Sequence, residues 1–468
     1  MSSVVAGACA QAPSSPATQP AAHGPDILRT PTTEQILRHR FSDDDERLLD
    51  EIQRTCHHYF WNAVGQPAGL VRDRLKAPIA SVAAVGFQLA ALPVAVERKW
   101  IAHAEGRERA ESILRALYDR TDNKTYGMYL HFPDHNTGGR SAEAWTSEIS
   151  TVDTALLLCG GMVAASYFKG ETAALVDKML AEANWKRFAV AEGGFIAMAV
   201  DPADPSDPNS GKAFSRASWW NSGSEEHLVY FLAIGSPTPD HAMPPEWWYK
   251  LGRTVKAWKD GPPFVVNVNG SLFNYFFAHC YIDFRGFEAD DPSRFGLTGP
   301  RVDWFENSRR AILTHRARNI ELADRYKTLS AERWGLSACV GREGYIVPEL
   351  APSTMDVDNA FEGTIAPYAA GSSIPLTPAE SLAALRAFRH LKTPGGKPVW
   401  TDPADGGYGL WDAFNLDQDY VSDDIVGIDH GPMLLAIENA RTGLVWKLFM
   451  EHPLARRAVE RMRWQTRQ

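Results

Sequence analysis

Between Thr154 and Phe168 the chain has neither a charge nor a proline, and a helix that is apolar all round has no face for water and must be buried. Polarity is confined to its start. In the text WTSEISTVDTALLLCGGMVAASYF, from Trp145 to Phe168, Glu148 and Asp153 stand before and inside the first turn, with Ser150 or Thr151 placed to cap it. The pattern returns from Trp219 to Ser236, WWNSGSEEHLVYFLAIGS, where Glu225 and Glu226 open a second apolar helix behind paired tryptophans. A third helix of small apolar residues is expected from about Ile79 to Arg98.

Amphipathic segments alternate with these. From Ser42 to Trp61 a Ser and three Asp precede Leu48, Leu49, Ile52, Cys56, Tyr59 and Phe60 at helical spacing. Further helices are predicted over about 105–119, 172–188, 245–256, 303–321, 377–391 and 431–441, the one at 303–321 polar-faced and in an outer layer. Tyr126–Phe132 alternates like a strand and predicts a short hairpin, and 193–218 reads as a long irregular loop. Wholly apolar helices interleaved with amphipathic ones fit an inner ring enclosed by an outer one. The expected fold class is therefore all-α, an (α/α)6 toroid of about a dozen helices with minor hairpins.

Composition narrows the partners. The 468-residue chain is 44% hydrophobic and carries a formal charge of -9 with no basic stripe, so it offers nothing to nucleic acid and suits a neutral substrate. Residues 1–35, rich in Ala, Ser and Pro around Ala8-Cys9-Ala10, read as an export remnant or disordered arm. Periplasmic or secreted location is expected on that ground, with Cys9 a candidate lipid anchor. Residues 36–468 are expected to form a single catalytic domain. The other cysteines, Cys56, Cys159, Cys280 and Cys339, lie in apolar contexts without CxxC spacing and read as buried thiols. No other stretch reads as a membrane span.

The long motifs GLVRDR, AAVGFQLAAL, STVDTALLLCG, SEEHLVYFLAIGSPT, FAHCYIDFRG, WGLSAC, EGTIAPYAAGSSIP, YGLWDAFN and GIDHGPMLLAIENARTGLVWKLF occur in this order between Phe41 and Pro453. In them the chain resembles the glycoamylase-like glycoside hydrolases, the group that holds the bacterial endo-β-1,2-glucanases of glycoside hydrolase family 144. The resemblance implies an (α/α)6 toroid, no metal or cofactor, and inverting hydrolysis of β-1,2-glucan or its oligosaccharides. End-wise release of disaccharide, transglycosylation, and a non-catalytic glucan-binding role are the alternatives. After GSPT the chain departs from the family's usual text at Pro239, Asp240 and His241, which bears on the substrate more than on the fold.

Breaking a glycosidic bond takes one carboxyl group to protonate the leaving oxygen and a second to activate water. Glu148, Asp153 and Glu225 are the expected catalytic cluster, because Glu148 and Glu225 come from different helix mouths and can straddle a sugar. Glu226 is expected to point elsewhere. Burial near Trp145, Trp219 or Trp220 would hold one carboxyl protonated, and these rings are expected to form an aromatic floor. Further expected sugar contacts are Arg72, Asp73, His279, Tyr408, Trp411, Asp412, Asn415 and Asp429, whereas Asp283 and Arg285 read as an ion pair. The adjacent His57 and His58 point to different faces, and neither HExxH nor a phosphate-binding glycine loop occurs. A nucleophile elbow at Ser224 lacks a leading strand.

Overall fold

A computed structural model describes residues 24–144, 147–190, 192–201 and 213–467. Apolarity on every side sends Val82–Glu97, Thr151–Phe168 and Glu226–Gly235 to the centre, where nearly every side chain is buried. Val82–Glu97 packs between Thr151–Phe168 and Gly427–Arg441, while Thr151–Phe168 also meets Glu226–Gly235, and Pro367–Ser372 packs on Gly427–Arg441. The turns Leu272–Tyr275 and Ala278–Cys280 supply the remaining inner segment. Asp43–Asn62, His103–Tyr118, Gly170–Glu182, Trp304–Glu321 and Pro378–His390 form the outer layer of this (α/α)6 toroid. The C-terminal helix Pro453–Arg461 covers Glu226–Gly235.

Local chemistry sets the helix limits. Ser42 caps Asp43–Asn62 in a reciprocal box, the Asp45 amide donating to Ser42 Oγ at 3.3 Å and the Ser42 amide to Asp45 Oδ2 at 2.8 Å. Thr151–Phe168 has the length and apolarity of a membrane span, and 89% of it is buried inside the molecule. Cys56, Cys159, Cys280 and Cys339 are buried free thiols.

The expected hairpin is present as Lys124–Thr125 paired antiparallel with Met128–Tyr129. Part of the expected loop at 193–218 instead joins a three-stranded sheet, Ile149–Ser150, Ala199–Asp201 and Ala213–Phe214. One expected helix shortens, and the apolar run at 271–282 forms no continuous helix. The helix expected at 245–256 is one turn, Trp247–Lys250, because Gly252 and the β-branched Thr254 and Val255 favour the strand Val255–Lys256 paired with Phe264–Val265. The 271–282 run breaks into 3-10 turns whose rings go separate ways, Tyr275 to Phe264, Phe276 to Tyr368 and Phe277 to Phe87.

The polar face of Trp304–Glu321 is largely buried. Glu306, fully enclosed, accepts from Arg309 at 2.8 and 3.0 Å, from Arg310 at 2.6 Å, and from the hydroxyl of Thr33. Thr33 belongs to the helix Pro31–Leu37, so the boundary expected at residue 35 falls inside a docked element. Just before it, Ile27 is buried and bridges Val302.

Candidate active site

The acidic residues gather where the inner helices begin. The chain entering Thr151–Phe168 runs beside the strand that follows the hairpin. His131 N–H donates to the Glu148 carbonyl at 2.9 Å, and Phe132 N–H to Ser147 Oγ at 2.8 Å. Ser150 is the N-cap: its Oγ accepts from the Asp153 amide at 3.3 Å, and its hydroxyl donates to the Asp153 carboxylate. This capping holds Asp153 at the mouth of the helix, 3.5 Å from His131 Nε2. On the other side of the same ring, His131 Nδ1 donates to Glu148 Oε1 at 2.8 Å.

Glu225 occupies the cap position of Glu226–Gly235, partly open to solvent, and Glu226 turns inward to accept the Ser224 amide at 2.7 Å. Burial, reinforced by the negative charges of Asp153 and Glu226, pushes the Glu225 carboxyl up to about 8. Glu148 behaves oppositely: its burial would raise it, but the hydrogen bond and charge of His131 bring it below the usual carboxylate range. His131 itself is pushed up to about 9, its burial outweighed by Asp153, Glu148 and Asp73. At neutral pH the mouth of the toroid thus pairs a protonated Glu225 with an ionised Glu148. The two helix starts are tied together by Trp219, whose indole donates to Thr151 Oγ1 at 2.9 Å.

A second acidic group comes from the segments before and within Gly427–Arg441. Asp412 accepts the Val340 amide at 2.6 Å, and burial pushes its carboxyl up to about 6. Asp429 is raised well above the ordinary range, by burial and then by Asp412. Asp73 is raised by burial, partly offset by Arg74 at 3.4 Å and by His131. Half-buried Tyr408 packs against His58 and Tyr59, Trp411 donates to Thr401 Oγ1 at 2.9 Å, and Trp220 lies half-buried beside Gly252. The half-buried Arg72 points a guanidinium nitrogen at the Leu75 carbonyl, 3.5 Å away.

Two of the expected sugar contacts are placed elsewhere. His279 is packed between rings, Nε2 at 2.8 Å from Ser308 Oγ with Phe284 and Phe305 around it, and burial takes it down to about 3. It is a core residue. Asn415 is fully buried and spent on its own loops, donating to the Glu362 carbonyl at 3.0 Å and accepting from Gln418 N–H at 3.0 Å. Trp145 lies outside the described residues. Asp283 and Arg285 form a bidentate pair at 2.7 and 2.9 Å, with the guanidinium 3.9 Å over Trp446.

The residue missed in the sequence is His131. It sits in the alternating YGMYLHF strand, and only the antiparallel pairing with 147–150 brings it to Glu148. Among the described residues no group of three or more His, Cys, Asp and Glu side chains is arranged to hold a metal ion. A groove of about 1160 Å³ lies away from these carboxylates, on the outer face of Asp43–Asn62 beside His57, Trp61 and Trp100. Its charged rim is internally paired, Arg389 with Glu51 at 2.7 Å and Arg441 with Glu46 at 2.7 Å.

A double ring of helices with carboxyl groups at the starts of its inner members defines the class, the α/α toroids with an acidic cleft. The model of the Glycoamylase family, described as "Putative glucoamylase", matches residues 218–453, half of the chain, and the chain belongs to that family. It is 28% identical over 455 residues to the exo β-1,2-glucooligosaccharide sophorohydrolase (non-reducing end) of Parabacteroides distasonis, an alignment covering 89% of this chain and 58% of that protein. The chain thus spans less than two thirds of that relative's length. The "putative glucoamylase" of Bacteroides uniformis superposes with a TM-score of 0.73 at 26% identity, over 92% of this chain and 99% of that one. The endo-β-1,2-glucanase of Chitinophaga pinensis, solved with sophorotriose and glucose, shares the fold with a TM-score of 0.74 at 22% identity, over 91% and 99%.

Proposed function

We propose that the protein is a glycoside hydrolase that cleaves β-1,2-linked glucan internally, with inversion at the anomeric carbon. The observation that carries this reading is the gathering of carboxyl groups at the helix starts around His131, which pushes them in opposite directions: burial with the charges of Asp153 and Glu226 takes Glu225 up to about 8, while His131 holds Glu148 below the usual carboxylate range. Glu225 gives its proton to the glycosidic oxygen as the bond to the anomeric carbon breaks. Glu148 and Asp153 supply the base, which takes a proton from the attacking water as its oxygen bonds to that carbon. Asp73, Arg72, Asp412, Asp429, Tyr408, Trp411, Trp219 and Trp220 provide the polar groups and rings that a hydroxyl-rich chain requires. The β-1,2 linkage is supported by the activities of the Parabacteroides relative and of the Chitinophaga enzyme.

The Parabacteroides relative favours a second reading, release of disaccharide from the non-reducing end. Linear glucans of different linkage, assayed for new reducing ends and for product size at early times, test both. Mixed sizes from β-1,2-glucan support internal cutting, and a single disaccharide supports end-wise action. Tight glucan binding without new reducing ends at high protein concentration rejects hydrolysis and leaves a binding protein.

A further inference from the structure

The imidazole of His131 lies between two carboxylates that reach it from opposite sides, Glu148 at 2.8 Å on Nδ1 and Asp153 at 3.5 Å on Nε2. Its backbone is fixed just as firmly. The N–H donates to the Glu148 carbonyl at 2.9 Å and the carbonyl accepts from Val82 N–H at 3.0 Å, which ties the residue to the start of a second inner helix. Phe132 stacks on the ring with centroids 3.6 Å apart. One residue thus spans the two inner helices Val82–Glu97 and Thr151–Phe168 at their mouths.

We propose that His131 is a positioning residue, bridging Glu148 and Asp153 as an imidazolium so that both carboxyl groups are held in fixed orientation at the mouth of Thr151–Phe168. The proposal rests on the functional reading above and adds to it a residue that acts through others. The groups that face the ring are Glu148 and Asp153 from the segment entering Thr151–Phe168, Asp73 from the Arg72–Ala80 loop, and Glu225 from the start of Glu226–Gly235. All are acidic, so every neighbour that carries charge favours the protonated ring. A protonated ring donates to Glu148 and sets its positive charge 3.5 Å from Asp153, an ion-pair distance that a neutral ring cannot exploit. Loss of the bridge would remove from Glu148 the hydrogen bond and charge that hold it below the usual carboxylate range.

Two measurements on the full chain decide it. The first needs no turnover: the His131 ring is titrated by NMR with nitrogen-labelled histidine, assigned by comparison with His131→Gln. The ring is expected to stay protonated past neutral pH, and Glu148→Gln to lower its titration by about one pH unit or more. A ring that titrates near the ordinary histidine value of about 6.5 overturns the bridge. The second is the pH profile of His131→Gln on β-1,2-glucooligosaccharides. Its kcat is expected to fall about tenfold or more with little change in KM, and the acid limb of kcat/KM to move up by about one unit. A uniform loss at every pH with an unmoved acid limb marks a structural role and also overturns the proposal. If His131→Gln does not fold, His131→Asn supplies the assignment and the shift of the ring in Glu148→Gln still decides. If the unaltered protein cleaves no glucan, the functional reading fails while the NMR titration still tests the bridge.

Discussion

Gly160 and Gly86 face each other where the inner helices Thr151–Phe168 and Val82–Glu97 cross, so closely that a Cβ on Gly160 would lie 1.8 Å from the Gly86 carbonyl oxygen. The reverse substitution fares no better, since a Cβ on Gly86 would meet the Leu156 carbonyl oxygen at 2.2 Å. Backbone cannot swing aside as a flexible side chain can, so either methyl must push two helices apart. These are the helices whose starts carry Asp153 and receive His131, so the crossing fixes how the two starts lie against each other.

Gly160→Ala and Gly86→Ala are each expected to destabilise the fold by at least about 2–3 kcal/mol, measured by urea unfolding. Gly286→Ala is the control, because nothing lies within 4 Å of its added methyl. It should stay within about 0.5 kcal/mol of the unaltered protein. A stable Gly160→Ala would mean that the helices do not cross this closely.

Glu225→Gln is expected to lower kcat by about 10²–10⁴-fold with folding intact, because the amide keeps the shape and loses the transferable proton. Glu225 must be protonated to act as acid, and its carboxyl is pushed up to about 8, so activity of the unaltered protein should fall as pH rises through that value. Glu148→Gln should cost kcat comparably and remove the acid limb. Near-normal turnover in either variant rejects the role assigned to it.

The pair Asp412 and Asp429 predicts a stability that depends on pH. Both carboxyls are raised in the folded state, Asp412 to about 6 and Asp429 well above the ordinary range, each chiefly by burial. A group raised on folding contributes fully below its unfolded value of about 3.9 and loses that contribution as pH climbs through the folded value. Stability should therefore fall between about pH 4 and pH 7, by about 1.4 kcal/mol for each unit of displacement. Asp429→Asn removes one of the two like charges and should shrink that fall, read as the difference between urea unfolding curves at the two pH values. An equal fall in both proteins would show that the pair does not titrate in this range.

His279→Phe separates core from cleft. Its imidazole is bonded to Ser308 and ringed by aromatic side chains, so the variant leaves a buried hydroxyl without its partner. A loss of about 1–3 kcal/mol in unfolding free energy is expected, with kcat and KM unchanged in the folded protein. A raised KM at unchanged stability would put His279 back among the sugar contacts.

The sequence by itself determined the inner ring and its outer partners. Helices without a polar face, such as Thr151–Phe168, have one physical solution, enclosure by other helices, and the amphipathic ones supply the shell. It also placed Glu148, Asp153 and Glu225 at helix mouths, since capping and the absence of charge beyond them are local properties. What only the tertiary structure decided was which chemistry meets which. His131 is an unremarked residue of a short strand until antiparallel pairing sets it between Glu148 and Asp153. Asn415 and His279 carry sugar-binding groups, and packing spends those groups on neighbouring segments instead. The 271–282 run is apolar enough for a helix, yet its rings are drawn toward three different partners and the backbone follows them. Periodicity reports how a segment meets water, and that is fixed along the chain. Protonation and pairing depend on groups far apart in sequence, and those meet only when the rings close.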